Sequence, residues 1–443
     1  MIQETNKKIH FIGIGGIGIS GLAQYMHYKG HEVSGSDISD SLLTKKLKKM
    51  GIKIIIPHDE SAITNQDLVI HSAIIRSNNP EIVAAKAKGI EVLARREALA
   101  EILKSSKVYS VAGAHGKSTT TAILTAIMNG SAMIGAESKA FGSNIRYDAS
   151  TDVMIFEADE SDGSFLNSNP YCAIVINAEP EHMEYYNYNY ELFYESYKTF
   201  INLATMRVLN AEDPFLSKLI GEIEAHWLYP SKDILDVEFV LRDDQPHTRF
   251  TLKDLGTFDV WGFGRHIALD ASLAILAANK SMDIEDIREN LLNFKGIKKR
   301  FDIVGIQTEC VIIDDYGHHP TEIKATFQSV KEYASLKGFD TITAIWQPHK
   351  YSRTIDNLEA FTHCFEGSQE LIILPVWAAG EAIREIDFQQ KFKNYNLTIA
   401  DKITRTDNTI AIIKDEKIVK FINKGLIIGF GAGDITYQIR GTH

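Results

Sequence analysis

Short apolar runs rich in Val and Ile alternate along this chain with longer stretches whose apolar residues recur at helical spacing. That alternation predicts strands connected by helices, hence an α/β fold of parallel sheets covered on both faces. Over 1–106, "IHFIGI", "EVSGSD", "KIIIP", "LVIHSA" and "IEVLA" read as strands, with helices over 17–29 and 79–88 between them. A helical patch over 95–103 and the polar "KSSK" at 104–107 close this first unit. A second unit, 107–297, opens on "VYSVAGAHGKSTTTAILTAIM": strand, glycine turn, helix. It continues through "DVMIFEAD", "CAIVIN", "RVLN", a β-rich stretch near 226–262 and the helix "RHIALDASLAILAANK". The third, 298–443, holds "CVIIDDY", the helix "TEIKATFQSVKEYA", "TITAIWQPH", a further helix, "LIILPVW" and the closing "GLIIGFGAGD".

Composition narrows the class. At 443 residues, a prior of roughly 150 residues per domain also gives three domains. With 44% hydrophobic and 24% charged residues the chain reads as a soluble globular enzyme. A net charge of −11 argues against a nucleic-acid partner. It leaves room for phosphorylated ligands, because a few Lys and Arg in one cleft set the local field. Cys172, Cys310 and Cys364 are too scattered for a disulfide framework, and the first two lie in apolar strand-like runs as reduced thiols. "MIQETNKK" has no apolar leader, and no stretch approaches the ~20 apolar residues of a membrane helix. The expected setting is cytoplasmic, with no membrane partner.

Two glycine turns carry the chemistry. Gly13, Gly15 and Gly18 in "HFIGIGGIGISG" form G-x-G-x-x-G between a strand and a helix, and Asp37 ends the next strand where an acid meets a ribose. The local physics is a helix N-terminus facing a pyrophosphate. It fits NAD(P), another nucleotide diphosphate, or a turn kept for its shape, so the turn alone leaves the ligand open. The second turn, "GAHGKSTTT", fails the strict phosphate-loop pattern, since Val111 stands where the first Gly belongs. Its mechanics survive: backbone N–H groups can wrap phosphates, Lys117 can reach the terminal ones, and Ser118 or Thr119 can ligate Mg²⁺. "FEADESD" and "NAEPEHM" each follow a strand and supply Glu157, Asp159, Glu160, Asp162, Glu179, Glu181 and His182. Hard oxygens with one imidazole suit Mg²⁺ or Mn²⁺ better than Zn²⁺.

"HFIGIGGIGISGLA", "SGSD", "VAGAHGKSTTT", "FEADESDGSF", "NAEPEHM", "GIKKRF", "DDYGHHPTEI", "QPHKYSRT" and "GFGAGDI" occur in that order from residue 10 to 435. Together they resemble the Mur ligases over nearly the whole chain. "DDYGHHPTEI" and "QPHKYSRT" are the specific part, since neither is a generic nucleotide signature. The resemblance implies three domains: a Rossmann-like UDP-binding domain, a central phosphate-loop ATPase domain and a C-terminal Rossmann-like domain. It implies ATP-dependent amide formation between the lactyl carboxylate of UDP-N-acetylmuramate and L-alanine through an acyl phosphate. A recycling-type relative that attaches a preformed peptide to the same sugar nucleotide is the alternative. A nicotinamide oxidoreductase would leave the second turn unexplained.

Residue by residue, the resemblance places the UDP-sugar on Gly15, Gly16, Ile17, Gly18, Ser36, Asp37, His71 and Ser72. ATP falls to Gly113, Ala114, His115, Gly116, Lys117, Ser118 and Thr119, with His266, Arg300 and Asp315. Ser118, Glu157 and His182 would hold metal, Mg²⁺ or Mn²⁺. Tyr316, His318, His349, Lys350 and Arg353 would grip the muramoyl substrate, and Lys117, His182, His349 and Arg353 would be catalytic. A monomer or homodimer is expected, with a hinge near 295–300. The chain departs from the family at several points. Ala114 and Ser118 stand where Thr is common, Ile267 and Asp270 where Asn is common, and Lys350 where Arg is frequent. A carbamylated lysine, used by some relatives, has only Lys198 as a nearby candidate.

Overall fold

The computed structural model describes residues 6–442. Part of the "MIQETNKK" stretch read above therefore lies outside the described residues. Contacts divide the chain into two compact units. One is 1–235 with 252–256 and 269–295, and the other is 236–251, 257–268 and 296–443.

The first unit contains two sheets. In the first, five parallel strands lie in the order Lys53–Ile55, Glu32–Ser36, Lys8–Ile12, Leu68–His71, Glu91–Ala94. The chain builds outward from Lys8–Ile12 in one direction and then the other, so a switch point opens at that strand's C-terminal end. Register sets Ile12 beside both Ser36 and His71 there. The second sheet centres on Lys107–Ala112, flanked by Val153–Glu157 and Pro170–Val175, both parallel to it. Of Lys107–Ala112, only Lys107 is not buried, as a strand covered on both faces requires. The stretch "FGSNIRYD" contains a strand, Ser143–Arg146, antiparallel to Ser131–Ser138.

In the second unit, Cys310–Asp315, Gly425–Phe430, Ile342–Trp346, Glu370–Ile373 and Leu397–Ile399 run parallel. Asp302–Gln307 adds an antiparallel edge. Lys402–Thr406, Thr409–Lys414 and Lys417–Ile422 make a separate antiparallel sheet, absent from the reading above. Residues 236–251 and 257–268 were expected with the ATP-binding stretch, but their contacts lie in this unit. The Tyr333 hydroxyl donates to the Asp244 carbonyl at 3.1 Å, and Phe263 packs edge-on against Tyr333. The Ser329 hydroxyl donates to the Phe263 carbonyl at 2.9 Å.

Candidate active site

At the first glycine turn, Gly16 caps the helix Ile17–Tyr28 without any side-chain cap, so its leading N–H groups remain open to a ligand. Asp37 Oδ2 accepts the Gly15 amide at 2.8 Å. A β-carbon on Gly15 would stand 2.7 Å from that oxygen, so only glycine admits the acid here. Ser36 donates to Glu81 at 2.6 Å, and Glu81 also contacts His10 Nε2 at 3.0 Å and accepts the Asp59 amide at 2.9 Å. His71 ends the neighbouring strand and Ser72 follows it, donating its amide to the Ile12 carbonyl. Thus Gly15, Gly16, Ile17, Gly18, Ser36, Asp37, His71 and Ser72 converge on one end of the first sheet. The sequence reading missed Arg95. Its guanidinium lies 3.0 Å from where a β-carbon on Gly18 would stand, and its Nε is buried with no hydrogen-bond partner among the described residues. The sequence offered only an Arg pair opening a helix.

At the second turn, Gly116 has φ 84° and caps Lys117–Ile127. His115 N donates to Asn177 Oδ1 at 3.0 Å and the Asn177 amide returns a bond to the His115 carbonyl at 3.1 Å, fixing the loop. Lys117 Nζ donates to the Gly113 and Ala114 carbonyls at 2.6 and 3.2 Å and to Glu160 Oε1 at 3.0 Å. Glu160 is 1% exposed and its Oε2 has no partner among the described residues. Ser118 Oγ donates to Glu157 Oε1 at 2.9 Å, and Gly135 N donates to Oε2 at 2.6 Å. Burial raises the pKa of both Glu157 and Glu160, against the pull of Lys117. Asp270 sits behind Gly116, where burial holds its carboxyl far above the carboxylate range. Thr119 lies in the first helical turn, and His182 is exposed on the loop after Pro170–Val175. Lys198 pairs with Glu222 Oε2 at 3.2 Å.

The second unit carries the remaining cluster. Asp315 is 2% exposed and spends both oxygens on backbone, accepting Phe301 N at 2.7 Å and Gly317 N at 2.8 Å. Burial raises its pKa to about 6, although Arg300 pulls the other way. It clamps the loop that presents Tyr316 and His318. Arg300 donates to Glu322 Oε1 at 3.3 Å and lies over the Tyr316 ring. With desolvation as the larger cause, Arg300 also helps to depress His266 to about 4. Glu322, which the sequence reading passed over, sits three residues after the cap His319 and accepts the His318 and His319 amides at 3.1 and 3.3 Å. Burial opposes its ionisation, but Arg300, His318 and those amides outweigh it and hold the carboxyl at about 2. The available signal was an acid three residues after the cap, His319-Pro-Thr-Glu322, the spacing of a capping box with His in place of Ser or Thr. His349 precedes the helix Tyr351–Asp356 that carries Arg353, and Arg353 Nη1 donates to His349 Nδ1 at 3.1 Å. Lys350 has φ 67°, and its amide donates to the Trp377 carbonyl at 2.8 Å.

Two glycine turns that open helices, one of them bearing Lys117 beside the carboxylates Glu157 and Glu160, and a cluster of histidines with Arg300 and Arg353 suit a nucleotide-dependent ligase better than a dehydrogenase. Family models agree: "Mur ligase family, catalytic domain" matches residues 8–107 and "Mur ligase, glutamate ligase domain" matches 299–419. The UDP-N-acetylmuramate–L-alanine ligase of Campylobacter curvus is 54% identical over 435 residues, covering 98% of this chain and 99% of its own. The enzyme of that name from Helicobacter pylori strain P12 is 53% identical over 439 residues, covering 98% and 96%. Among solved structures, the UDP-N-acetylmuramate-alanine ligase of Thermotoga maritima superposes with a TM-score of 0.80 at 25% identity, covering 99% of this chain and 98% of that one. The chain belongs to the Mur ligase family.

Proposed function

We propose that this chain joins L-alanine to the lactyl carboxylate of UDP-N-acetylmuramate at the expense of ATP, a step in making peptidoglycan precursors. The observation that carries this reading is its near-full-length identity to ligases of that name. The sugar nucleotide's diphosphate occupies the first glycine turn, with Arg95 facing it, and ATP occupies the second. A carboxylate must attack a triphosphate, two anions that repel, so the site has to supply positive charge. Lys117 leaves Glu160 to neutralise the γ-phosphate. The lactyl carboxylate attacks that phosphorus, giving an acyl phosphate and ADP, and the amine then displaces phosphate from the acyl carbon. The donors Ser118 Oγ and Glu157 are hard oxygens in contact, which fits Mg²⁺ completed by water and phosphate oxygens. Among the described residues no group of three or more His, Cys, Asp or Glu side chains forms a cage of its own. Bound there, Mg²⁺ would offset charge on the transferred phosphoryl group. His182 stands as a second candidate ligand from the neighbouring loop. Among the described residues no helix is long and apolar enough to cross a membrane.

Incubation with UDP-N-acetylmuramate, ATP and either L-alanine or the L-alanyl tripeptide tests the reading. Phosphate release is expected with alanine. Release with the tripeptide alone would move the chain to the recycling type. Lys117→Ala should abolish turnover and leave UDP-sugar binding in place.

A further inference from the structure

An alanine ammonium has no lone pair with which to attack, so some group must first take its proton. Two histidines of the second unit are held in opposite tautomers. His318 Nδ1 lies 3.0 Å from the Tyr316 carbonyl oxygen and 3.6 Å from Glu322 Oε2. Neither partner has a hydrogen to give, because Glu322 is ionised, so Nδ1 carries the hydrogen and Nε2 keeps its lone pair. His349 is the reverse. Its Nδ1 lies 3.1 Å from Arg353 Nη1, and a guanidinium only donates. The hydrogen of His349 is therefore on Nε2. The two ring centroids are 5.8 Å apart, so an acceptor nitrogen and a donor nitrogen stand within reach of one amino acid.

We propose that His318 Nε2 is the general base for the alanine ammonium, with His349 Nε2–H as the donor facing the same amino acid. The assignment rests on the ligase reading above. The ammonium's N–H bond breaks, its electron pair stays on nitrogen, and the proton passes to His318 Nε2. The freed pair forms the new C–N bond at the acyl carbon. The bond from that carbon to the phosphoryl oxygen breaks, and its pair leaves with phosphate, which takes the second nitrogen-bound proton. The His318 imidazolium returns its proton to water. The groups facing His318 are Glu322, Tyr316, Arg353, Arg300 and His349. Desolvation, Arg353 and Arg300 lower its pKa, and Glu322 and the Tyr316 carbonyl raise it. It is thus neutral, and ready to accept a proton, at pH 7. The same cations lower the pKa of an ammonium bound beside them.

Hydroxylamine tests the assignment, because its nitrogen keeps its lone pair at neutral pH and needs no base. His318→Asn retains an N–H for the Tyr316 carbonyl but has no basic nitrogen. With L-alanine it should lose roughly 10²–10⁴-fold in kcat. With UDP-N-acetylmuramate, ATP and hydroxylamine it should still form the acyl hydroxamate at close to the wild-type rate. Retained alanine activity, or parallel loss of both reactions, overturns the assignment. Glu322→Gln supplies a second readout: removing the charge that raises the His318 pKa should move the acid limb of kcat/KM for alanine to lower pH, and an unmoved limb also overturns it. If the wild-type enzyme makes no hydroxamate, the acyl-phosphate reading fails instead.

Discussion

Glu322→Gln removes one charge from a point where three functional segments meet. Glu322 binds Arg300, the His318 and His319 amides, and faces the His318 ring. Its pKa of about 2 against an ordinary 4.5 corresponds to roughly 3 kcal/mol of folded-state stabilisation, at 1.36 kcal/mol per unit. The sign follows from the depressed pKa. The stabilisation is complete above about 4.5 and is lost as pH falls through about 2. Glutamine keeps an oxygen that can accept the two amides, so roughly 3 kcal/mol is the ceiling for the substitution. Hydrogen exchange over 320–337 and urea unfolding should show the variant weaker by about 1–3 kcal/mol at pH 7, with the gap closing on acidification. A gap under ~0.5 kcal/mol at pH 7, or one indifferent to pH, would refute the claim that this carboxylate's charge holds the site.

Two further substitutions separate the nucleotide sites. Arg95→Ala should raise KM for the UDP-sugar about tenfold, the loss of one charge-assisted contact, while ATP binding measured by calorimetry stays unchanged. Weakened ATP binding would place Arg95 elsewhere. Gly116→Ala combines φ 84° with a β-carbon 2.6 Å from Asp270 Oδ1; it should cost about 1–3 kcal/mol locally and suppress ATP binding, and an alanine variant with normal ATP affinity would show that the loop tolerates another shape.

The parallel sheets and both glycine turns were legible because strand and helix periods alternate cleanly and glycine marks each turn. The antiparallel sheet over 402–422 was not. Its turns place Asp407, Asp415 and Glu416 at positive φ, where no glycine signals the reversal. The stretches 236–251 and 257–268 were grouped with the ATP-binding stretch because their partner, Tyr333, is remote in sequence. Single motifs gave the identities of Lys117, Ser118, Glu157, His318 and Arg353. They could not give roles that depend on contacts from elsewhere. Asp315 spends both oxygens on backbone, Arg95 reaches Gly18 from a different helix, and Glu322 fixes a tautomer through a cap. A linear pattern records residue type at a position and is silent about which lone pair is already engaged.

The resting arrangement of Lys117 bears on selectivity among the anions of a cell. With its ammonium satisfied by two carbonyls and Glu160, the loop offers little bare positive charge to stray sulfate or inorganic phosphate. A ligand must bring enough negative charge to outcompete an internal carboxylate before the lysine moves. Such a latch acts as a threshold: it weakens every anion's binding by a similar amount, which a triphosphate can absorb and a small inorganic anion cannot.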